Sequence, residues 1–95
     1  MIRQPIGFEI SISARDDGTL EALYIRLSRN KVASTKEIPG NDEVLADYDS
    51  SGKLVGIEVL SPVRLRKIVQ LVDEPRRKPF RRFIKNAAPE ELVNA

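Results

Sequence analysis

The sequence predicts an α+β domain, in which an antiparallel β-meander of about four to five strands precedes a packed C-terminal helix and a second short helix in the tail. Two observations carry this prediction. Between residues 8 and 60, apolar and polar residues alternate in short runs separated by turns rich in Gly and Asp, which is typical of strands with one wet face. After residue 61 the apolar spacing changes to three and four, which is typical of a helix.

The strand runs differ in polarity. Residues 8–15 and 21–28 alternate cleanly across a short turn and predict a hairpin, whereas residues 32–38 are polar and predict an edge strand. Residues 53–60 form the most apolar run, with both faces partly covered, so we expect a central strand. In the turn at 49–52 we expect Asp49 to bond to its own backbone and Gly52 to take left-handed geometry.

Two helices are predicted after the strands. Ser61 is expected at the N-cap of the first and Pro62 at its first position, followed by an apolar stripe at Leu65, Ile68, Val69 and Val72. Residues 73–79 are expected to close this helix and form a linker, and Pro79 to begin the second helix. These boundaries predict a sheet-plus-helix domain over residues 1–73 and a basic tail with a short amphipathic helix over residues 74–95.

Composition narrows the function classes. The 95 residues contain no Cys and no His, so disulfides and thiolate chemistry are excluded, and zinc sites and most general-base mechanisms lose their usual residues. We therefore expect no enzyme, no cofactor and no metal site. No apolar run suits a signal peptide or a spanning helix, which predicts a cytoplasmic protein of a bacterium-like cell, without a membrane partner.

Charge is unevenly placed along the chain. Residues 1–72 carry ten Lys and Arg against ten Asp and Glu, so the net charge of +2 comes from residues 73–95. Six bases interleave there with Phe80 and Phe83, which predicts either a helix docked on protein or nucleic-acid contacts, with a membrane surface the weakest alternative. The predicted nucleic-acid contacts are Arg76, Arg77, Lys78, Arg81, Arg82 and Lys85.

A family resemblance covers roughly residues 8–65. The segments EALYIRLS and VLADYDSSGKLVGIEVL resemble the signature of a widespread family of small bacterial proteins catalogued as a domain of unknown function, although Glu21 stands where that family usually has Asp. The resemblance implies a small sheet-plus-helix domain without a known reaction. Some members are labelled antitoxin-like because they are encoded beside small ribonuclease-type toxins, which implies a small toxin-like partner.

The remaining site hypotheses concern the strands. Asp47, Asp49 and Glu58 suggest either a magnesium or calcium site or, as we favour, ordinary turn and strand positions. Gly56 predicts a close approach, by Tyr24 or Tyr48 or by a partner's backbone. The candidate partner surface consists of Tyr24, Arg26, Tyr48 and Glu58, together with Phe80 and Phe83. For the first four of these residues, half-exposed cross-strand pairing is the favoured alternative.

These observations favour a non-enzymatic protein-interaction domain. A sheet edge and a thin core predict a homodimer, and the resemblance implies a toxin-like heterologous partner. Ribonuclease toxins are usually basic, so the basic tail would repel such a partner and the neutral body would have to bind it. The alternative is a nucleic-acid-binding, operator-type protein that uses the basic tail.

Overall fold

The computed structural model describes residues 7–95 and confirms the α+β class. A five-stranded antiparallel sheet is followed by two helices, with a short parallel pair of strands beside them. In chain order the elements are β1 (Glu9–Ala14), β2 (Leu20–Arg26), β3 (Ser34–Ile38), β4 (Asn41–Tyr48), β5 (Leu54–Val59), β6 (Val63–Arg64), α1 (Leu65–Val69), α2 (Glu74–Ala87) and β7 (Val93–Asn94).

The strand order is β1-β2-β5-β4-β3, so β5 is central and β3 is an edge strand, as predicted. The order departs from a simple meander, which would place β3 beside β2. Instead β5 pairs with both β2 and β4. The polarity of the two strands explains their positions. The apolar residues Val55, Ile57 and Val59 are fully buried, which suits a central strand, whereas β3 is exposed except at Ile38, which suits an edge.

A single hydrophobic cluster lies between one face of the sheet and the helices. Ile25 of β2 faces Ile57 of β5, which in turn faces Ala46 of β4, and all three are buried. Ile68 of α1 and Phe80 of α2 belong to the same cluster. Within residues 7–95, the helices therefore cover one face of the sheet.

The first helix begins later than the sequence predicts. Arg64, not Ser61, is the N-cap of α1, and it makes no side-chain capping bond. The prediction was wrong because Val63 and Arg64 pair in parallel with Val93 and Asn94, so this segment is extended up to Arg64. Residues 90–92 form a single turn that leads into β7.

The second helix begins earlier than predicted. Residues 74–79 are not a linker but the first turns of α2, with Pro75 in the first turn and Pro79 inside the helix. Phe80 and Ile84 of α2 are buried in the common cluster. Burial of these side chains offsets the cost of a proline inside the helix. From the local sequence alone, a proline at this position predicts a helix boundary. The division after residue 73 stays a prediction, and α2 packs as part of the same core.

Within residues 7–95, neither helix has the length and apolar character needed to cross a membrane.

Candidate functional site

The face of the sheet turned away from the helices carries two rows of side chains that run across all five strands. We call these ten residues the open face. Directly opposed residues lie on the same face of a sheet, so the strand register defines the rows. One row is Ser11, Tyr24, Glu58, Leu45 and Glu37, and the other is Glu9, Arg26, Gly56, Asp47 and Thr35.

Tyr24 lies across Gly56 at the centre of the open face. A Cβ atom at Gly56 would overlap the ring and hydroxyl of Tyr24, which confirms the predicted close approach at this glycine. The Tyr24 hydroxyl donates to Asp47 Oδ2 over 2.8 Å, and the Thr35 hydroxyl donates to Asp47 Oδ1 over 2.6 Å. The ring is thus held flat on the sheet by a carboxylate that is itself fixed.

Tyr24 is a neutral hydrogen-bond donor at physiological pH. Partial burial, followed by the hydrogen bond to Asp47, raises the pKa of Tyr24 to about 12. The Arg26 guanidinium lies 6.0 Å from the centroid of the same ring. The arrangement therefore offers a ring surface and a protonated hydroxyl, not a phenolate nucleophile.

The open face is acidic although the chain as a whole is slightly basic. Among its ten residues are the carboxylates Glu9, Glu37, Asp47 and Glu58, against the single base Arg26. All four carboxylates are at least partly accessible to solvent. This surface favours cationic ligands and disfavours phosphates.

Tyr48 does not lie with the other residues of its predicted group. Tyr24, Arg26 and Glu58 are together on the open face, whereas Tyr48 packs against the core cluster and lines a cleft on the helix side. The signal for this placement is present in the sequence, because Tyr48 continues the buried alternation of Val44 and Ala46.

The turn after β4 is built around Asp49, as predicted. Its Oδ1 accepts from the backbone N–H of Lys53, and from the N–H and hydroxyl of Ser51, while Oδ2 accepts from the Asn30 amide. These hydrogen bonds hold the pKa of Asp49 well below its usual range, and the bond from the Lys53 N–H has the largest effect. Within residues 7–95, Asp and Glu side chains form no group of three able to hold a metal ion.

The six bases of α2 divide into two sets. The Arg76 guanidinium donates to the Leu27 carbonyl over 2.9 Å and lies 5.0 Å from the Phe8 ring centroid. Arg77 Nε donates to the Val72 carbonyl over 2.7 Å. These two side chains are half-buried and join α2 to the sheet and to the end of α1, so they have structural roles that the sequence did not reveal.

The other four bases form what we call the basic stripe: Lys78, Arg81, Arg82 and Lys85. All four are exposed, and their spacing of three and four places them on one side of α2. They line a shallow groove of about 930 Å³ together with Phe83. Phe80 is fully buried in the chain's own core, so of the two predicted partner aromatics only Phe83 retains surface.

The two edges of the sheet differ in their protection. In β1 all residues except Ile10 are exposed, Ile12 shows 47% of its surface, and the strand contains neither Pro nor Lys. In β3 the residues Lys36 and Glu37 are charged, Pro39 follows, and the pairing shifts register after Glu37. Charges, proline and irregular pairing discourage edge association. β1 has a single charge, Glu9 at its first position, and its pairing shifts register only at its end, between Ser13 and Ala14, so β1 is the less protected edge. The sequence identified β3 as an edge and missed β1.

Comparisons with known proteins give one finding. Residues 17–61, which contain β2 to β5, match the model of a family described as "Protein of unknown function (DUF2283)". Neither the curated proteins nor the solved structures that were searched contain a match. The strands β2 to β5 of this chain are therefore similar to a family defined by sequence, whose description assigns no function.

Proposed function

We propose that this chain is a non-enzymatic protein-interaction domain that forms a homodimer through β1. The observation that carries the proposal is the exposure of Ile12 on an edge strand whose one charged residue, Glu9, lies at its first position. Two copies of β1 would pair in an antiparallel manner about a two-fold axis, which extends the sheet across both protomers.

The surroundings of β1 support this arrangement. Phe83 and Ala87 of α2 lie beside Ile10 and Ile12 and line a shallow groove along the strand. Pairing would place a second copy of Ile12 and of α2 against this groove. The contact would bury apolar surface in addition to forming backbone hydrogen bonds, and burial of apolar surface is the main driving force of association.

The test is the molar mass in solution, measured by light scattering after size exclusion over a range of concentrations. We expect twice the chain mass for the natural sequence and the chain mass for Ile12→Lys. Val32→Lys is the matched control, because Val32 is also an exposed apolar residue, with 42% of its surface exposed, but lies outside the strands. A monomer at every concentration, or equal effects of the two variants, would contradict the proposal.

We also propose an antitoxin-like role, with a small toxin-like protein as the heterologous partner. It rests on the resemblance of the strand segments to a family with members labelled in this way. The acidic open face supports it, because a basic toxin would meet complementary charge there. Co-expression with the product of the neighbouring gene should give a stable complex and restore growth, and normal growth with that product alone would contradict the role.

A second candidate function is nucleic-acid binding through the basic stripe. Within residues 7–95 the only ion pair joins Arg15 and Glu21, so the four bases lie on one side of α2 without a carboxylate partner. Like charges at this helical spacing destabilise a helix, and phosphates would relieve that repulsion. Contacts of this kind bind the backbone of DNA and carry little sequence information.

Binding of labelled double-stranded DNA across a salt series tests this second function. Lys78→Gln with Arg82→Gln should weaken binding and reduce the salt dependence by about one unit of slope for each lost phosphate contact. Arg29→Gln with Lys31→Gln is the matched control, since it removes the same charge from an exposed loop. Equal effects of the two double variants would show that binding follows net charge and not the stripe.

A further inference from the structure

We infer that the open face is a docking surface for an arginine- and lysine-rich segment of another protein. The inference rests on the proposed function as an interaction domain and assigns it a surface other than the hydrogen-bonding edge of β1. The two surfaces differ in chemistry, because the β1 edge offers backbone groups and Ile12, whereas the open face offers carboxylates around a tyrosine.

The open face has the anatomy of an interface. Tyr24 and Leu45 are half-buried near its centre and flank Glu58 in one cross-strand row. Glu9 and Glu37 lie on the outer strands, so carboxylates surround a partly apolar centre. An apolar centre within a polar rim is typical of protein interfaces, and tyrosine is enriched among the residues that contribute most binding energy.

The central side chains are already ordered before any partner arrives. The Tyr24 ring is held between Gly56 below it and the hydrogen bond to Asp47, while Thr35 fixes that carboxylate. Side chains that are fixed in the free protein lose little conformational entropy on binding. The open face is thus pre-organised around its aromatic residue.

The negative charge of the open face indicates which kind of partner binds there. Four carboxylates and one base repel phosphates and also repel the open face of a second copy, so neither nucleic acid nor a symmetric face-to-face dimer suits this surface. Guanidinium groups can bind carboxylates through two parallel hydrogen bonds, and cations are attracted to the face of a tyrosine ring. A basic segment of a partner would therefore make both contacts.

A second copy of the chain could bring its own basic stripe to the open face. The positions of the two surfaces, however, prevent this contact from forming a closed two-fold dimer. The stripe and the open face lie on opposite sides of one molecule, because α2 packs on the other face of the sheet. A contact between two different surfaces of identical chains does not close about a two-fold axis and produces larger rings or open-ended chains. A separate basic protein forms a closed complex.

The test is a titration of the nitrogen-15-labelled full chain with a synthetic peptide of alternating arginine and serine, followed by NMR. We expect amide shifts centred on Tyr24, Asp47 and Glu58. Glu37→Gln with Glu58→Gln should weaken binding about tenfold. The matched control is Asp16→Asn with Glu90→Gln, which removes the same charge from exposed positions outside the open face and should change affinity less than about twofold.

Three outcomes would overturn the inference: shifts confined to other parts of the chain, equal weakening by the two double variants, and self-assembly that Glu37→Gln with Glu58→Gln abolishes while the peptide causes no shifts. The last would identify a second copy as the occupant. Repeating the titration with Ile12→Lys separates this inference from the proposed dimer. Peptide binding should persist in that variant whether or not the natural chain is a dimer.

Discussion

At the scale of single residues, Gly56 determines whether the Tyr24 ring can lie on the sheet. A methyl group at this position would occupy the space of the ring and its hydroxyl. Gly56→Ala should therefore displace Tyr24 and break its hydrogen bond to Asp47. We expect a loss of about 1–3 kcal/mol in the free energy of unfolding, measured by urea denaturation, because overpacking forces side chains out of their preferred positions.

Gly7 provides the control for this substitution. A Cβ atom at Gly7 meets nothing within 4 Å, so Gly7→Ala should change stability by less than about 0.5 kcal/mol. If Tyr24 is the cause, Tyr24→Ala should remove most of the additional cost of Gly56→Ala in a double-mutant cycle. Additive effects of the two substitutions would contradict this explanation.

The charge of Asp49 makes the free energy of unfolding depend on pH in the acidic range. Its pKa is lowered in the folded chain by bonds from Lys53, Ser51 and Asn30, so its stabilising contribution is complete above the unfolded pKa of about 4 and is lost as the pH falls below that value. The stability difference between the natural chain and Asp49→Asn, from urea denaturation, should be constant between about pH 6 and 7 and shrink below about pH 4. A difference that stays constant down to about pH 2 would show that the charge of Asp49 is irrelevant.

Local residue roles were predictable where the partners are close in sequence or on the paired strands. Asp49 bonds within its own turn, and Gly56 lies beneath a tyrosine of the neighbouring strand, as expected. The roles of Arg76 and Arg77 were not predictable, because their acceptors become available only when α2 packs beside β2 and α1. Tertiary packing thus gives Arg76 and Arg77 intramolecular acceptors and leaves the other four bases of α2 exposed.

At the scale of elements, α2 contributes side chains to the common hydrophobic core. Phe80 is fully buried and meets Phe8 edge to face, with ring centroids 5.4 Å apart. Phe80→Ala should reduce the free energy of unfolding by about 3–5 kcal/mol, because it removes a large side chain and leaves a cavity. Urea denaturation monitored by circular dichroism measures this loss.

Phe83→Ala is the comparison within the same helix. Phe83 is only half-buried, so its truncation should cost clearly less than that of Phe80. A chain that ends at Asp73 lacks Phe80, Ile84, Leu92 and Val93 of the core and should lose cooperative unfolding. Normal cooperative unfolding of that shortened chain would instead support an independent domain over residues 1–73.

The predicted starts of both helices differ from the observed ones for the same reason. Ser61 and Pro62 have the local signature of a helix start, yet pairing of Val63 with Val93 keeps the chain extended. Pro79 has the signature of a boundary, yet the helix continues through it because Phe80 and Ile84 are buried on the sheet. A helix cap is worth about 1 kcal/mol and an interior proline costs about 3 kcal/mol, and long-range packing exceeded both here.

At the scale of the whole molecule, the net charge of +2 conceals two oppositely charged sides. The acidic open face and the basic stripe are separated by the sheet and the core. The sequence located the basic side because its residues are contiguous. It did not locate the acidic side, because those carboxylates come from strands whose order was not the expected meander.

The same strand order leaves β1 and β3 as the two edges, and hydrogen exchange of their amides distinguishes them. The N–H groups of an edge strand that point away from the sheet exchange with water unless another chain covers them. In the proposed dimer, the outward amides of β1 should become protected as the protein concentration rises, while those of β3 should exchange at an unchanged rate. Ile12→Lys should abolish the protection of β1. Concentration-dependent protection of β3 alone would assign the self-association to the opposite edge, and the shared sheet would then run through Thr35 and Glu37 instead of Ser11 and Ile12.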